Sequence, residues 1–132
     1  MKKLSFFLLL LLFAGKISAQ APTASECKDF HTGTFTYKNI PNVIIERDSL
    51  YQVERDPTDG SYVKMSITWT SDCTYELRLV KTNKRKDKKF WKKIKVLVVT
   101  IVYVDDNSYR FSCSSPAMAE PIRGTIVKKK SS

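Results

Sequence analysis

The chain is poor in histidine, cysteine and glycine, and these shortages narrow the chemistry that it can perform. Its 132 residues include one histidine, three cysteines and four glycines. The cysteine spacing matches no zinc-binding pattern, and His31 alone cannot complete one. Catalysis by a Ser-His-Asp or Cys-His arrangement would have to use His31, yet no nucleophile motif surrounds it. We therefore expect no metal site, no cofactor and no enzymatic activity.

Long apolar runs are also missing, and the one near the start is too short to span a membrane. Residues 4–14 are apolar apart from one serine and follow Lys2 and Lys3. A membrane-spanning helix needs about 20 apolar residues. A charged start, a short apolar run and a small residue at Ala19 are typical of a cleaved signal peptide, here residues 1–19. We expect an exported protein, periplasmic or secreted, that is not an integral membrane protein.

The remaining residues, 20–132, suffice for a single domain with a modest core. The full chain has a net charge of +10 and stays basic when the leader is removed. Positive charge favours anionic partners such as acidic lipid or polysaccharide, although it also keeps a small protein soluble. Nucleic acid is not an expected partner, because an exported protein seldom meets it.

Apolar and polar residues alternate along most of the chain, which is the pattern of half-buried β-strands. The clearest case is residues 62–70, where Val63, Met65, Ile67 and Trp69 share one side. The same criterion, with turn residues between the segments, predicts about eight strands: 34–37, 43–47, 50–55, 62–70, 75–79, 94–104, 109–113 and 122–127.

Eight sequential strands joined mostly by short turns favour an all-β fold, a single antiparallel up-and-down barrel over residues 20–132. Closing the sheet removes exposed edges. The best helical candidate, residues 84–94, is too charged for us to expect a buried face. At eight strands, the interior of a barrel either fills with side chains or holds one small ligand.

The strand order brings two of the three cysteines to one end of the predicted barrel. Cys27 lies at the start of the first predicted strand, and Cys73 lies at the end of the fourth. Cys113 lies within the seventh strand, on the face of Phe111. An odd number of cysteines in an oxidising compartment most simply gives one bridge and one free thiol. We predict a Cys27–Cys73 disulfide and a buried, free Cys113.

Three segments carry a recognisable pattern: CKDFHTGTF at 27–35, IER at 45–47 followed by QVE at 52–54, and ITW at 67–69 leading to DCTYEL at 72–77. Together they resemble a group of small exported proteins of flavobacteria, of unknown function, whose members are often labelled DNA topoisomerase IV. A type II topoisomerase needs an ATP site, a DNA-cleaving tyrosine domain and a cytoplasmic location. Residues 20–132 are too few for these domains, and an exported chain is not cytoplasmic. The resemblance therefore implies an exported protein and no established activity.

A second resemblance is to lipocalins and other calycin barrels. Gly33-Thr34-Phe35 is similar to the Gly-x-Trp motif that opens their first strand, with phenylalanine in place of tryptophan. The lipocalin-like resemblance implies that Arg123, on the last strand, lies across Phe35. The alternative interpretation is an ordinary strand start and a surface arginine.

A polar cluster follows the second predicted strand. A hairpin turn at Asp48-Ser49 places Arg47 opposite Leu50 and Glu54 opposite Val43, all on one face. If this face points inward, the charges need partners, and they can then hold the head of an apolar ligand. If it points outward, the same residues form solvated ion pairs. For the inward arrangement we predict these ligand-binding residues: Arg47, Gln52, Glu54, Trp69 and Tyr75.

Residues 81–95 contain nine cations against Asp87 alone, with Phe90 and Trp91 among them. One interpretation is a solvated hairpin loop whose aromatic side chains pack on the rim of the barrel. The other is a contact with anionic envelope lipid or glycan, in which the aromatic side chains insert or stack. The residues that we predict for this surface are Lys84, Arg85, Lys86, Lys88, Lys89, Trp91 and Lys92.

The sequence thus favours a small exported barrel that is a non-enzymatic binding module for a small apolar or amphipathic ligand. The alternative is an envelope-associated protein that docks on anionic lipid or glycan through the basic segment 81–95.

Overall fold

The alternating segments form eight strands in the computed structural model, which describes residues 20–130. The predicted signal peptide, residues 1–19, lies outside the described residues. The strands are β1 Gly33–Tyr37, β2 Ile40–Arg47, β3 Tyr51–Asp56, β4 Ser61–Ser71, β5 Thr74–Thr82, β6 Leu97–Val104, β7 Ser108–Ser114 and β8 Ile122–Lys128. The helices in this part of the chain are α1 Ala24–Lys28 and α2 Arg85–Ile94.

Each strand pairs in antiparallel fashion with the next, and β8 pairs with β1 to close the barrel. The closing contact aligns Phe35 with Lys128 and Tyr37 with Ile126. Closure satisfies the backbone groups that an open sheet would leave at its two edges. The predicted all-β, up-and-down barrel of eight strands is therefore confirmed.

The core lies inside the barrel and follows the period-two pattern of the strands. On β4, for example, Met65 and Ile67 are buried, whereas Thr68 is exposed. The most deeply buried large side chains come from many different strands: Phe35, Ile45, Gln52, Tyr75, Ile101 and Tyr109. Two of these side chains are hydrogen-bonding phenols and one is an amide, so the interior is partly polar.

One end of the barrel is covered by α1 and the segment that follows it. A capping box begins this helix, because Thr23 and Glu26 each bond to the other's backbone N–H. Phe30 is buried, and its ring packs edge-on against Tyr109 with the centroids 5.0 Å apart. Cys27 therefore lies in a helix and not at the start of β1 as predicted. A helix of five residues is too short to show a helical period in the sequence.

The predicted Cys27–Cys73 disulfide is present, and it joins α1 to the turn between β4 and β5. Cys113, on β7, is a buried free thiol. The bridge spans 46 residues of sequence, including four complete strands. It therefore holds the covering segment against the end of the barrel.

The prediction that residues 84–94 form no helix with a buried face was wrong. Lysine and arginine have good helix propensity, and the buried side chains of Trp91 and Ile94, three residues apart, fix α2 on the barrel. Lys95 ends the helix with a positive φ of 62°. The following strand begins at Leu97, later than the predicted residue 94. Neither described helix has both the length and the hydropathy needed to cross a membrane.

The turn between β2 and β3 is longer than the predicted Asp48-Ser49 turn. The Asp48 carboxylate accepts hydrogen bonds from the backbone N–H groups of residues 50 and 51. Arg47 consequently pairs with Gln52 and not with Leu50, and Glu54 pairs with Ile45. Because the register changes by two residues, each side chain stays on the face that the sequence predicted.

We expect the disulfide to contribute about 4 kcal/mol to the free energy of unfolding, since it closes a loop of 46 residues. Replacing Cys27 and Cys73 together by serine should lower that free energy by this amount in urea titrations. Cys113→Ala is the control, because it leaves the bridge intact. Three reactive thiols in the oxidised, denatured wild-type protein would contradict the bridge.

Candidate functional site

Arg47 lies inside the barrel, with its side chain in the core and only 4% of the residue exposed. Its Nη2 donates to the hydroxyls of Tyr109 at 2.9 Å and Tyr75 at 3.3 Å. Its Nη1 donates to the backbone oxygen of Phe30 at 2.6 Å, and its Nε donates to Gln52 Oε1 at 2.9 Å. All three guanidinium nitrogens are therefore bonded to protein groups, and the inward arrangement is the one that the structure shows.

Aromatic rings surround the guanidinium. Its carbon lies 4.6 Å from the ring centroid of Phe35, 4.9 Å from that of Tyr75, 5.8 Å from that of Tyr109 and 5.9 Å from that of Trp69. The negative faces of such rings attract a desolvated cation. The rings and the hydrogen bonds together compensate for the removal of this charge from water.

A hydrogen-bonded chain leads from Arg47 to Glu54. Gln52 accepts from Arg47 through Oε1 and donates through Nε2 to Glu54 Oε2 at 3.0 Å. Tyr37 donates its hydroxyl to Glu54 Oε1 at 2.9 Å. The buried amide of Gln52 thus connects the cation with the carboxylate, and each oxygen of that carboxylate accepts a hydrogen bond.

Burial dominates the proton affinities in this network. It raises the pKa of Glu54, an effect opposed by the hydrogen bonds from Tyr37 and Gln52 and by the charge of Arg47. It also raises the pKa values of Tyr37 and Tyr75 well above their usual value, so these phenols keep their protons. Burial acts to lower the pKa of Arg47, whereas its contacts with Tyr109 and Tyr75 act to raise it; the net shift of the pKa is upward, so the guanidinium stays charged.

A cavity of about 490 Å³ lies next to this network and opens to solvent. Four polar side chains of the network form part of its wall, namely those of Tyr37, Gln52, Glu54 and Tyr75. The apolar wall includes Val43, Val63, Met65, Leu77, Leu97, Val99, Phe111 and Ile126. Gly124 leaves room for the Phe111 ring, since a Cβ there would lie 2.8 Å from its Cζ. The result is an apolar chamber with a small polar region.

The structure divides the five predicted ligand-binding residues between the cavity and the closed end. Gln52, Glu54 and Tyr75 line the cavity, whereas Arg47 lies behind them. Trp69 stacks on His31 with the centroids 3.5 Å apart, away from the cavity wall.

His31 and Trp69 belong to the covered end of the barrel. The His31 Nε2 atom is 2.8 Å from the backbone oxygen of Asp72. The Trp69 Nε1 atom is buried without a hydrogen-bond partner among the described residues. Within residues 20–130, no three His, Cys, Asp or Glu side chains are grouped so as to hold a metal ion.

Two tyrosines of the network, Tyr37 and Tyr109, were not among the predicted site residues. Their signal in the sequence is the period of two, since Tyr37 follows Phe35 by two residues and Tyr109 precedes Phe111 by two. That pattern places both side chains inside the barrel. It does not show that their hydroxyls meet Glu54 and Arg47, because those residues come from other strands.

The predicted anionic-surface residues lie on or beside α2, but they do not share one environment. Trp91 is buried and lines the cavity, so its ring is turned away from the solvent face. Lys84 lies at the mouth of the cavity together with Phe90. The remaining five cations are exposed, and none forms a salt bridge within the described chain: Arg85, Lys86, Lys88, Lys89 and Lys92.

Arg123 is exposed on β8, where it pairs with Ser112. The cations that lie over the Phe35 ring are Arg47, at 4.6 Å from the centroid, and Lys128, at 5.9 Å. The placement of Arg123 across Phe35, which the calycin resemblance implied, is not what the structure shows. Lys128 takes that position because it is the β8 residue aligned with Phe35.

Comparisons of the chain with protein-family models, with curated proteins and with solved structures give no match.

Replacing Arg47 by methionine should lower the free energy of unfolding by about 3–5 kcal/mol, because buried partners lose their donors. Chemical denaturation measures this change. Arg55→Met is the matched control: Arg55 forms an exposed ion pair with Glu46, and such pairs contribute roughly 0–1 kcal/mol. Equal losses in the two variants would contradict a structural role for the buried guanidinium.

Proposed function

We propose that this protein is an exported, non-enzymatic binding module whose cavity takes a small apolar or amphipathic molecule. The observation that carries the proposal is an apolar chamber with a hydrogen-bonded polar group in its wall. Ligand sites in proteins commonly have volumes of roughly 300–1,000 Å³ and combine apolar walls with a few placed polar groups. The Cys27–Cys73 bridge supports a periplasmic or secreted location, since disulfides persist in oxidising compartments.

The mouth of the cavity supports an amphipathic occupant. Ile40, Phe90 and Ile122 line it and remain 53%, 38% and 48% exposed. The apolar part of a bound molecule that extends out of the cavity would cover these side chains and remove their surface from water. The charged residues Lys84 and Asp87 also line the cavity, and both are at least partly exposed to solvent.

A neutral fluorescent probe, N-phenyl-1-naphthylamine, should bind with enhanced emission. Val63→Trp, which fills the cavity from a half-buried wall position, should weaken that binding at least tenfold. Val102→Trp is the control, because Val102 is 47% exposed and is not part of the cavity wall. Circular dichroism verifies that both variants are folded. Unchanged binding in Val63→Trp, or no binding by wild type, would count against the cavity as a ligand site.

We propose, as a second candidate function, docking on anionic envelope lipid or glycan through α2. Like charges recur four residues apart along this helix, as in Arg85 with Lys89 and Lys88 with Lys92. Each such pair destabilises a helix by roughly 0.2–0.5 kcal/mol. An anionic surface would relieve this repulsion, and the exposed part of Phe90 would contact the same surface.

Vesicles containing phosphatidylglycerol should bind the protein, and the affinity should fall steeply as salt is added. Changing four helix cations to glutamine should reduce binding at least tenfold: Arg85, Lys88, Lys89 and Lys92. The charge-matched control changes four cations elsewhere: Lys38, Arg110, Lys129 and Lys130. Equal losses in the two quadruple variants would indicate an effect of net charge and would rule out docking by α2.

A further inference from the structure

The charged groups on the wall of the cavity differ in depth. Glu54 lies in the hydrogen-bonded network at the polar region of the wall, where Tyr37 and Gln52 hold its two oxygens. The other charged side chains of the wall lie on or next to β3, α2 and β8 and are at least partly exposed to solvent: Arg55, Asp56, Lys84, Asp87 and Arg123. An amphipathic molecule that enters the chamber head first therefore meets Glu54 as its charged neighbour.

Most hydrogen-bond donors near Glu54 are already used within the protein. The Tyr37 proton is directed at Glu54 Oε1, and the hydrogen bond of 2.8 Å between the Tyr75 and Tyr109 hydroxyls uses one of their two protons. Arg47 bonds through all three nitrogens and is absent from the cavity wall. A carboxylate offers about four lone-pair sites, of which the network occupies two. The polar region thus has acceptor capacity to spare and few free donors.

From this arrangement we infer that the cavity selects an apolar molecule whose polar end is an amine or an alcohol, which donates a hydrogen bond to Glu54. The cavity disfavours a carboxylate at that end. The inference rests on the proposed binding function and names the ligand class of that same site. A carboxylate head would face a like charge and would find few donors. A protonated amine would gain a charge-assisted hydrogen bond, so it should bind more tightly than the alcohol.

The position of Arg47 behind the cavity wall also supports this class of ligand. Gln52 and Tyr75 separate the guanidinium from the cavity, and each accepts a hydrogen bond from it. A carboxylate could reach the cation only by breaking bonds that hold the closed end together. Glu54, in contrast, is accessible from the cavity without any change in the network.

The test compares three ten-carbon probes that differ in their polar end: decylamine, decanol and decanoate. Each is used below its micelle concentration, and its displacement of N-phenyl-1-naphthylamine and its heat of binding are measured. Decylamine should bind wild type at least tenfold more tightly than decanoate, with decanol between them. Glu54→Gln should reduce this amine-to-carboxylate ratio at least fivefold. Glu76→Gln should leave the ratio unchanged, because neither Glu76 nor its ion-pair partner Arg78 lines the cavity.

The ranking on wild type decides the inference even if Glu54→Gln does not fold. Equal affinities for the three probes, or tightest binding of decanoate, would overturn the selection by Glu54 while leaving the cavity as a ligand site. A ratio that survives in a folded Glu54→Gln variant would also overturn it. Failure of the naphthylamine and of every ten-carbon probe to bind would instead refute the proposed binding function.

Discussion

The buried guanidinium of Arg47 is the group on which much of the interior arrangement depends. A desolvated charge is tolerated only where hydrogen bonds and polarisable neighbours replace water. This one requires the Phe30 carbonyl, the Gln52 amide and two phenols, which come from the covering segment and from β3, β5 and β7. It therefore fixes several strands relative to one another and fixes the covering segment to the barrel.

The same network separates the barrel into a filled part and an open part. Around Arg47, aromatic rings and the residues near Phe30 fill the interior. Beyond Gln52 and Tyr75 the side chains no longer meet, and the cavity begins. The carboxylate of Glu54 lies at this boundary, so the cavity wall contains a hydrogen-bond acceptor, whereas the Arg47 cation remains enclosed. That asymmetry is the basis of the proposed preference for donor-bearing ligands.

Some elements of this arrangement follow from the sequence, and others do not. The period of two placed Arg47, Gln52 and Glu54 on one face, and it still holds although the turn at Asp48 shifts the register. It could not decide whether that face points inward, because charged residues are usually found outside. The helix α2 was not predicted, for a related reason. Its buried side is made by just Trp91 and Ile94, and the cations around them dominate any average over the segment.

The number of strands and their antiparallel order could be predicted from the sequence, because alternation and turn chemistry are local. The strand order in turn predicted the Cys27–Cys73 pairing, since it brings both cysteines to one end of the barrel. The tertiary structure alone decided which polar atoms meet. The hydroxyls of Tyr75 and Tyr109 are brought to Arg47 by strands that are distant in sequence, and their contacts depend on the curvature and stagger of the whole barrel. The size of the cavity is set in the same way, since it is the volume that side chains from all parts of the barrel leave unfilled.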